Sequence, residues 1–508
     1  MQKRNFDSTF CGSVPLHQIN LIQPYGMLLV IRQADYKIVQ VSENISVAVG
    51  RQAPEIVDTL LSDYIPASQM KELQRKLDEG LVNKLPFTLT FTGSDGPKDY
   101  LAITHLSGEA LILEIEELGQ AGEDNSFINI YQQLKYAMAA INAAPSIQVA
   151  CETAARQLKA LSGYDKVMVY QFDKDWNGTV IAEEQEPGME SYLGLTFPAS
   201  DIPRQARAMY LDNPYRMIPN REYVPVSLYP VINPLTNAFT DLSGCNLRSV
   251  PAVHLEYMKN MEIMTSMSCR ILKDGQLWGL FSCHHRTAYQ LPYEGRALFE
   301  LLSDIIAARI QSLYYKEQSD EYTKLHDVHT RLIEQVFTGS DLPQGLLSRE
   351  TNVLQLLNAS GAAIMHNKRL ETVGKVPGKN ELKDLFLWLQ STSTSGQVFQ
   401  ELHLSGTYEP SIHYAEIASG ILVIPVQPNK GEFLVVFRPE VIQQVNWGGN
   451  PNEAVRFEKD NIQYHPRNSF SIWQQTVRNT AISWKQTEIQ MAGLLRNFIL
   501  EFIVRGLD

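Results

Sequence analysis

Positive charge is scarce in this chain. Its 508 residues carry 44 Lys and Arg against 56 Asp and Glu, a net charge of -12. That balance excludes a general nucleic-acid binder, which needs clustered cations to neutralise phosphates. It also argues against an anionic membrane surface. No apolar run approaches the roughly 20 residues needed to span a bilayer, and the N-terminus lacks the charged-then-apolar pattern of a secretory leader. A soluble, cytoplasmic protein is expected. Cysteine is equally sparse: Cys11, Cys151, Cys245, Cys269 and Cys283 are the full set. An odd, scattered set fits a reducing compartment, and without a CxxC pair no structural zinc site is expected. There is no G-x-x-x-x-G-K-[ST] phosphate loop and no G-x-S-x-G nucleophile elbow.

What is present suffices for ordinary folding. Apolar residues make up 44% and charged residues 20%, and the length suggests about three domains at ~150 residues each. "GMLLVIRQADYKIVQVSEN" reads as two apolar strands around a polar turn, "SQMKELQRKLDEGL" as a helix, and "LILEIEEL" as a closing strand. The polar run "GQAGEDNS" makes a linker. A second unit opens with the helix "NIYQQLKYAMAAINAA", continues through the strands "KVMVYQFD" and "GTVIAEE", and closes with the hairpin "SMSCRILKDGQLWGLFSCHH". Between the strand pairs, Tyr192 to Val250 form a long insertion rich in Pro, Arg and aromatic residues, which favours a binding segment. From Pro292 to about Phe337 a helix of ~40 residues, some 60 Å long, is expected. Leu298, Leu302, Ile305 and Leu313 fall near heptad spacing, so the helix should join two domains and pair with its copy. A third α/β unit follows, then an irregular arm from Trp447 to Trp473. The closing helix carries Leu494, Leu495, Phe498 and Phe502 on one face, as if meant to continue into another module.

Several stretches invite chemistry. In "FPASDIPRQARAMY", Pro203 suits the start of a helix, and Asp201 before it reads most simply as a helix-capping carboxylate. Arg216, Arg248 and His254 follow among tyrosines, a grouping that suits an anionic ligand. "SCHH" resembles a metal motif, but His284 and His285 are neighbours on a strand and face opposite sides, so no metal is expected. Cys11 reads first as a free thiol in a polar arm.

Taken together, "FPASDIP", "LRSV", "HLEYMKNM", "GQLWGLFSCHH" and "PRNSFSIW", with Cys11 followed by "PLH" and "IQPYG", resemble the bacterial phytochromes over nearly the whole chain. The resemblance implies an α+β protein of three α/β sensor domains, PAS, GAF and PHY, with central antiparallel sheets, a long connecting helix and a tongue-like arm. The expected divisions are an arm at 1–21, PAS at 22–118, GAF at 126–312, and PHY at 313–508 with its tongue at about 440–480. It implies a red/far-red photoreceptor, not an enzyme, that switches by photoisomerising the D ring of a linear tetrapyrrole in the GAF domain. In such proteins the arm cysteine forms a thioether with biliverdin. Here Val253 occupies the position where bilin-binding relatives with a GAF cysteine carry it, so biliverdin IXα on Cys11 is implied.

Residue by residue, the resemblance implies that the Asp201 carbonyl accepts pyrrole N–H bonds and that His254 holds the ordered water at the pyrrole nitrogens. Tyr170, Phe197 and Tyr257 would surround the D ring, His284 would donate to its carbonyl, and Ile202, Pro203 and Tyr210 would line the pocket. Arg216 and Arg248 would bind the two propionates, helped by Ser266 and Ser268. Arg467 would pair with Asp201, and Ser469 would replace it there after photoconversion. A homodimer and a fused output module or response regulator are the implied partners.

There are departures. Pro251 and Ala252 stand where many relatives have Ser-Pro, Tyr25 replaces the histidine of "IQPHG", Gln475 replaces an acidic residue, and "ISW" replaces "xPW". They bear on photostate lifetime rather than bilin binding. Two alternatives are a PAS–GAF sensor of a non-light ligand and the sensory half of a histidine kinase whose catalytic part lies elsewhere. A visible absorbance band separates the first from a photoreceptor.

Overall fold

The computed structural model describes residues 16–80, 84–93, 96–118, 127–339, 341–347, 350–392, 396–451, 455–457, 464–466 and 469–505. Cys11 and Arg467, both singled out above, lie outside the described residues. The chain divides into two compact units, one of residues 1–311 and 446–473, the other of residues 312–445 and 474–508.

The first unit holds two sheets. In the N-terminal one, β1 (Leu21–Ile22), β2 (Gly26–Arg32), β3 (Ile38–Ser42), β4 (Pro86–Gly93), β5 (Gly96–Ser107) and β6 (Ala110–Glu117) assemble with a later strand, β11 (Val226–Tyr229), in the order β1-β11-β3-β2-β6-β5-β4. The apolar run of β2 does not alternate because both faces are covered. Met27, Leu29 and Ile31 face one core, with Leu73 of helix α1 (Ala67–Asp78), while Leu28 and Val30 face a second core with Leu228, Leu242 and Leu247. β11 sits between β1 and β3, pairing Ser227 with Leu21 and Tyr229 with Val41. The start of the chain is thereby gripped by a segment some two hundred residues downstream. Gln23 N donates to Leu247 O at 2.7 Å and Ser249 N to Leu21 O at 2.9 Å.

The second sheet is built from β7 (Lys166–Phe172), β8 (Gly178–Gln185), β9 (Thr196–Phe197), β10 (Tyr215–Ile218), β12 (Thr265–Lys273) and β13 (Gln276–His285), in the order β10-β12-β13-β7-β8-β9. Its alternation sorts the side chains. Lys166, Met168 and Tyr170 share one face with Ser266, Ser268, Leu280, Ser282 and His284, whereas Val167, Val169, Phe281 and Cys283 take the other. Helices α2 (Phe127–Ala143) and α3 (Ile147–Ser162) precede β7, α4 (Arg204–Asp212) falls within the long insertion, and α5 (Ala252–Asn260) follows directly after it. Gly178, paired with Phe172, leaves room for the Tyr170 ring, which would lie 1.8 Å from a Cβ there. Helix α6 (Tyr293–Gly339) runs 47 residues, or about 70 Å. Arg296 in its first turns is almost fully buried and forms a two-point ion pair with Glu116 of β6 at 2.9 and 2.5 Å.

In the second unit, β14 (Gly361–His366), β15 (Arg369–Gly374), β16 (Phe399–Glu401), β17 (Gly420–Gln427) and β18 (Glu432–Arg438) form an antiparallel sheet in the order β15-β14-β18-β17-β16. One face packs with Leu332 and Val336 of α6 and with helix α8 (Gln486–Val504); the other packs with helix α7 (Lys379–Thr392). The arm read above as irregular contains strands: β19 (Gln443–Gly448), β20 (Val455–Phe457) paired with β21 (Tyr464–Pro466), and β22 (Ile472–Val477). Within the first unit, Trp447 pairs in parallel with Thr196 of β9. A side chain at Gly448 would meet the Phe197 ring at 2.6 Å, so the "WGG" glycine allows this close approach. Among the described residues, no helix is long and apolar enough to cross a membrane.

Candidate functional site: a buried cavity on the central sheet

The face of the central sheet that carries Met168, Ser266, Ser268 and His284 forms the floor of a cavity of about 280 Å³. α4, α5 and the turn leading into α4 cover it. That turn follows from its prolines. Pro198 precedes a short 3-10 turn at Ala199–Asp201, Ile202 is extended (φ -125, ψ 86) as a residue before proline should be, and Pro203 opens α4. Arg207 pins the turn by donating to Ile202 O at 2.6 Å and Ala199 O at 3.2 Å.

Most of the residues expected at a bilin pocket come together here. Tyr170, Phe197, Asp201, Ile202, Pro203, Tyr210, Arg216, Arg248, His254, Tyr257, Ser266, Ser268 and His284 all line the cavity. His285 points away and lies 3.3 Å from Asp165, so the two adjacent histidines are separated as their alternation requires. Ser469 is not among the lining residues; it is exposed and bonds Ser471.

The polar groups differ in how they are engaged. Asp201 Oδ2 accepts from Tyr257 OH at 2.8 Å, so this carboxylate already has a partner on α5. Tyr210 OH and Ser268 Oγ bond one another. Arg216 spends its guanidinium on backbone: Nη1 donates to Asn246 O at 2.7 Å, and Nη2 to the carbonyls of Arg248 and Ser249. Arg216 therefore secures the 245–249 segment as well as facing the cavity. Arg248 donates from Nη1 to Leu16 O at 2.7 Å, while its buried Nε has no partner among the described residues. Burial, reinforced by the Arg216 charge, lowers the Arg248 pKa to about 9.

Both cavity histidines are held neutral. Burial, then the Arg216 charge, lowers His254 to about 4; burial, then Lys166 and His254, lowers His284 to about 3. The buried His284 Nδ1 has no partner among the described residues. The His254 and Tyr257 rings lie parallel with centroids 6.1 Å apart. A mostly apolar cavity with two neutral imidazoles and a guanidinium donor to spare suits a large conjugated ligand bearing carboxylates and ring nitrogens.

Sequence reasoning missed Phe470. It was quoted within "PRNSFSIW" only for Arg467 and Ser469, yet Phe470 is buried in the cavity-wall cluster and meets the Tyr257 ring edge-on at 5.1 Å. Pro466 also lines the cavity. An aromatic in a polar arm gives no periodicity to betray it. Phe470→Ala is expected to loosen residues 446–473 from the cavity wall and lower their hydrogen-exchange protection about tenfold, given ~0.5–1.5 kcal/mol for such a ring pair plus its lost burial. Unchanged protection would show that the contact does not hold this segment.

The chain matches the family models described as "PAS fold" over residues 11–118, "GAF domain" over 146–310 and "Phytochrome region" over 325–507. It is 34% identical to cyanobacterial phytochrome B of Nostoc sp., covering 99% of this chain and 67% of that protein. It is 31% identical to a bacteriophytochrome of Xanthomonas campestris pv. campestris, covering 97% of this chain and 78% of that one. The crystal structure of bacteriophytochrome RpBphP3 from R. palustris superimposes with a TM-score of 0.87 at 32% identity, covering 97% of this chain and 99% of that one. The chain thus spans about two thirds of the Nostoc relative.

Proposed function

The chain belongs to the phytochrome photoreceptors, as a PAS–GAF–PHY photosensory core, and on that footing we propose that its cavity binds biliverdin IXα, attached through Cys11. The observation that carries this reading is the pair of orphaned buried atoms, His284 Nδ1 and Arg248 Nε, on residues that line one mostly apolar cavity. When bound, the bilin supplies light absorption and isomerisation about the bridge to its D ring.

The remaining roles fall to this chain's side chains. Arg248 has a donor left for a propionate, and Arg216 adds positive charge from the carbonyl cage it organises. Ser266 and Ser268 offer hydroxyls beside them. His254 and His284, uncharged, present one donor and one acceptor each without adding charge beside a protonated chromophore. Tyr170, Phe197, Tyr257 and Phe470 give a packed aromatic wall in which ring motion at one end would be felt by residues 446–473. Arg467 belongs to that same segment and is the proposed partner of Asp201, with Ser469 as its successor after photoconversion. For the first state, Tyr257 then shares Asp201.

Read as a sensory core, the chain would act through a fused output module or a response regulator. Exposed Ile128 and Tyr136 on α2, with Leu301 on α6, support a homodimer. The test is one spectrum. Protein reconstituted with biliverdin is expected to gain a red absorbance band that converts reversibly under red and far-red light. His254→Ala should still take up bilin but photoconvert poorly. No visible band in the reconstituted wild type would remove the proposal and favour a sensor of a non-light ligand.

A further inference from the structure

Lys166 is an unexpected residue to open the apolar strand "KVMVY". It is 1% exposed, and the register of β7 against β13 sets it directly opposite His284. Directly opposed residues project to the same face with Cβ atoms ~5 Å apart, so the lysine stem leaves the sheet on the same face as the His284 imidazole. Three contacts fix it there. Its Nζ is 3.2 Å from a Glu183 carboxylate oxygen, sits 4.1 Å from the centre of the Tyr192 ring, and donates to the Glu190 carbonyl. Glu183 is itself held by Tyr192 N at 3.0 Å and by Ser191 Oγ.

We infer that Lys166, anchored by Glu183, is a positioning residue that keeps His284 an uncharged imidazole facing the bilin. The inference rests on the cavity being the bilin site and deepens that reading. A protonated His284 would share this buried sheet face with the Lys166 ammonium, a repulsion that favours the neutral ring. Of the other groups facing the ring, His254 adds to the effect, but less than Lys166. Ser266 and Ser282 flank His284 with hydroxyls only, Ser282 Oγ lying 3.4 Å from Nε2. From α5 come His254 and Tyr257, the latter bonded to Asp201. Tyr170 and Tyr192 are phenols, and Arg216 on β10 is turned to the 245–249 carbonyls. Glu183 bears the compensating charge, 3.2 Å from the ammonium. Burial first, then the charge of Lys166 and then His254, lowers the His284 pKa to about 3. A neutral His284 at all working pH values would let it keep one tautomer toward the ligand in both photostates.

The test uses bilin-loaded protein titrated from pH 8 to pH 3, reading the red band and the photoconversion yield. Lys166→Met removes the ammonium and leaves the Glu183 carboxylate, so the acid-side midpoint should rise by about one pH unit or more. Photoconversion should be kept at pH 8 and fall near pH 4, where wild type still converts. Lys166→Arg should restore the wild-type profile, which a purely packing role for the lysine stem would not require. Glu183→Gln leaves the ammonium unopposed and should leave the midpoint in place or lower it. A wild-type midpoint in Lys166→Met, or a raised midpoint in Glu183→Gln, overturns the inference. If Lys166→Met does not yield folded protein, the Glu183→Gln arm still decides. If wild type takes up no bilin at all, it is the reading of the cavity that fails. Ring nitrogen NMR of His284 in wild-type and Lys166→Met apoprotein then tests the Lys166 effect alone, and the same His284 midpoint in both would refute it.

Discussion

Cys11→Ser is expected to abolish covalent attachment completely while leaving bilin in the cavity. On acid-urea denaturation the variant should release all of its chromophore, and its denatured band should show no zinc-induced fluorescence. Two facts support this. Leu16 lines the cavity and is held by Arg248, and five residues of chain reach at most about 18 Å, so Cys11 starts within range of the site. The other thiols are poor candidates. Cys151, Cys245, Cys269 and Cys283 are all buried, and none lines the cavity. Register turns Cys269 and Cys283 to the opposite face from Ser268 and His284. Burial also pushes Cys151 and Cys269 up to about 12, and Cys245 and Cys283 well above their usual range. The thiolate that would attack a vinyl group is therefore negligible in these four at neutral pH. Retained fluorescence in Cys11→Ser would mean that one of them becomes exposed, and mass spectrometry of the bilin peptide would identify it.

The sequence made some parts of this molecule readable and hid others for physical reasons. Local periodicity was enough for α6, whose run without Pro or Gly after its opening predicts a helix at nearly the observed limits. The two-residue period of β13 was enough to separate His284 from His285. Neither signal reaches across the chain. The insertion of β11 between β1 and β3 depends on residues about two hundred positions apart, and nothing in "VSLY" says which edge it will join. The candidate site was legible as a set of lining residues because the motifs name them. Their engagements were not. Arg216 reads as a free guanidinium in sequence, yet the carbonyls of residues 245–249 claim it once that segment closes. The Asp201 carboxylate was taken to be free for Arg467, but Tyr257, three positions after His254 on the same helix face, also reaches it. A lysine at a strand end ordinarily reads as a solvated residue, so Lys166 carries no signal in the sequence. Only the pairing register shows that it faces His284.

Acid should weaken the bilin-free protein steeply. His105, His254 and His284 all have pKa values pulled below the ordinary 6.5, to about 3, 4 and 3, with burial the first cause in each. The sign follows from linkage. In the unfolded chain these rings protonate near pH 6.5, whereas in the folded protein they stay neutral. Unfolding therefore takes up protons, and stability present above pH 6.5 is lost as pH falls toward 4 and then 3. Each ring contributes up to ~1.4 kcal/mol per pH unit, so two to three rings give roughly 3–4 kcal/mol per unit below pH 6. His254 should count least, since its edge faces the cavity and it is only half-buried. Buried Glu114 works the other way. Its pKa is raised, chiefly by burial, so it takes up a proton earlier when folded and offsets part of the loss. The first-unit unfolding transition of apoprotein, followed in urea at pH 7.5, 6 and 5, is expected to shift accordingly. His105 provides the internal control. It lies outside the bilin cavity, 3.5 Å from Cys245 Sγ, and Lys84 adds to the lowering of its pKa. His105→Asn should remove about one proton from the slope, whether or not bilin is bound. Loading bilin should alter only the share of His254 and His284. A slope below one proton in the apoprotein, or no change on His105→Asn, would mean that these rings protonate without resisting the fold.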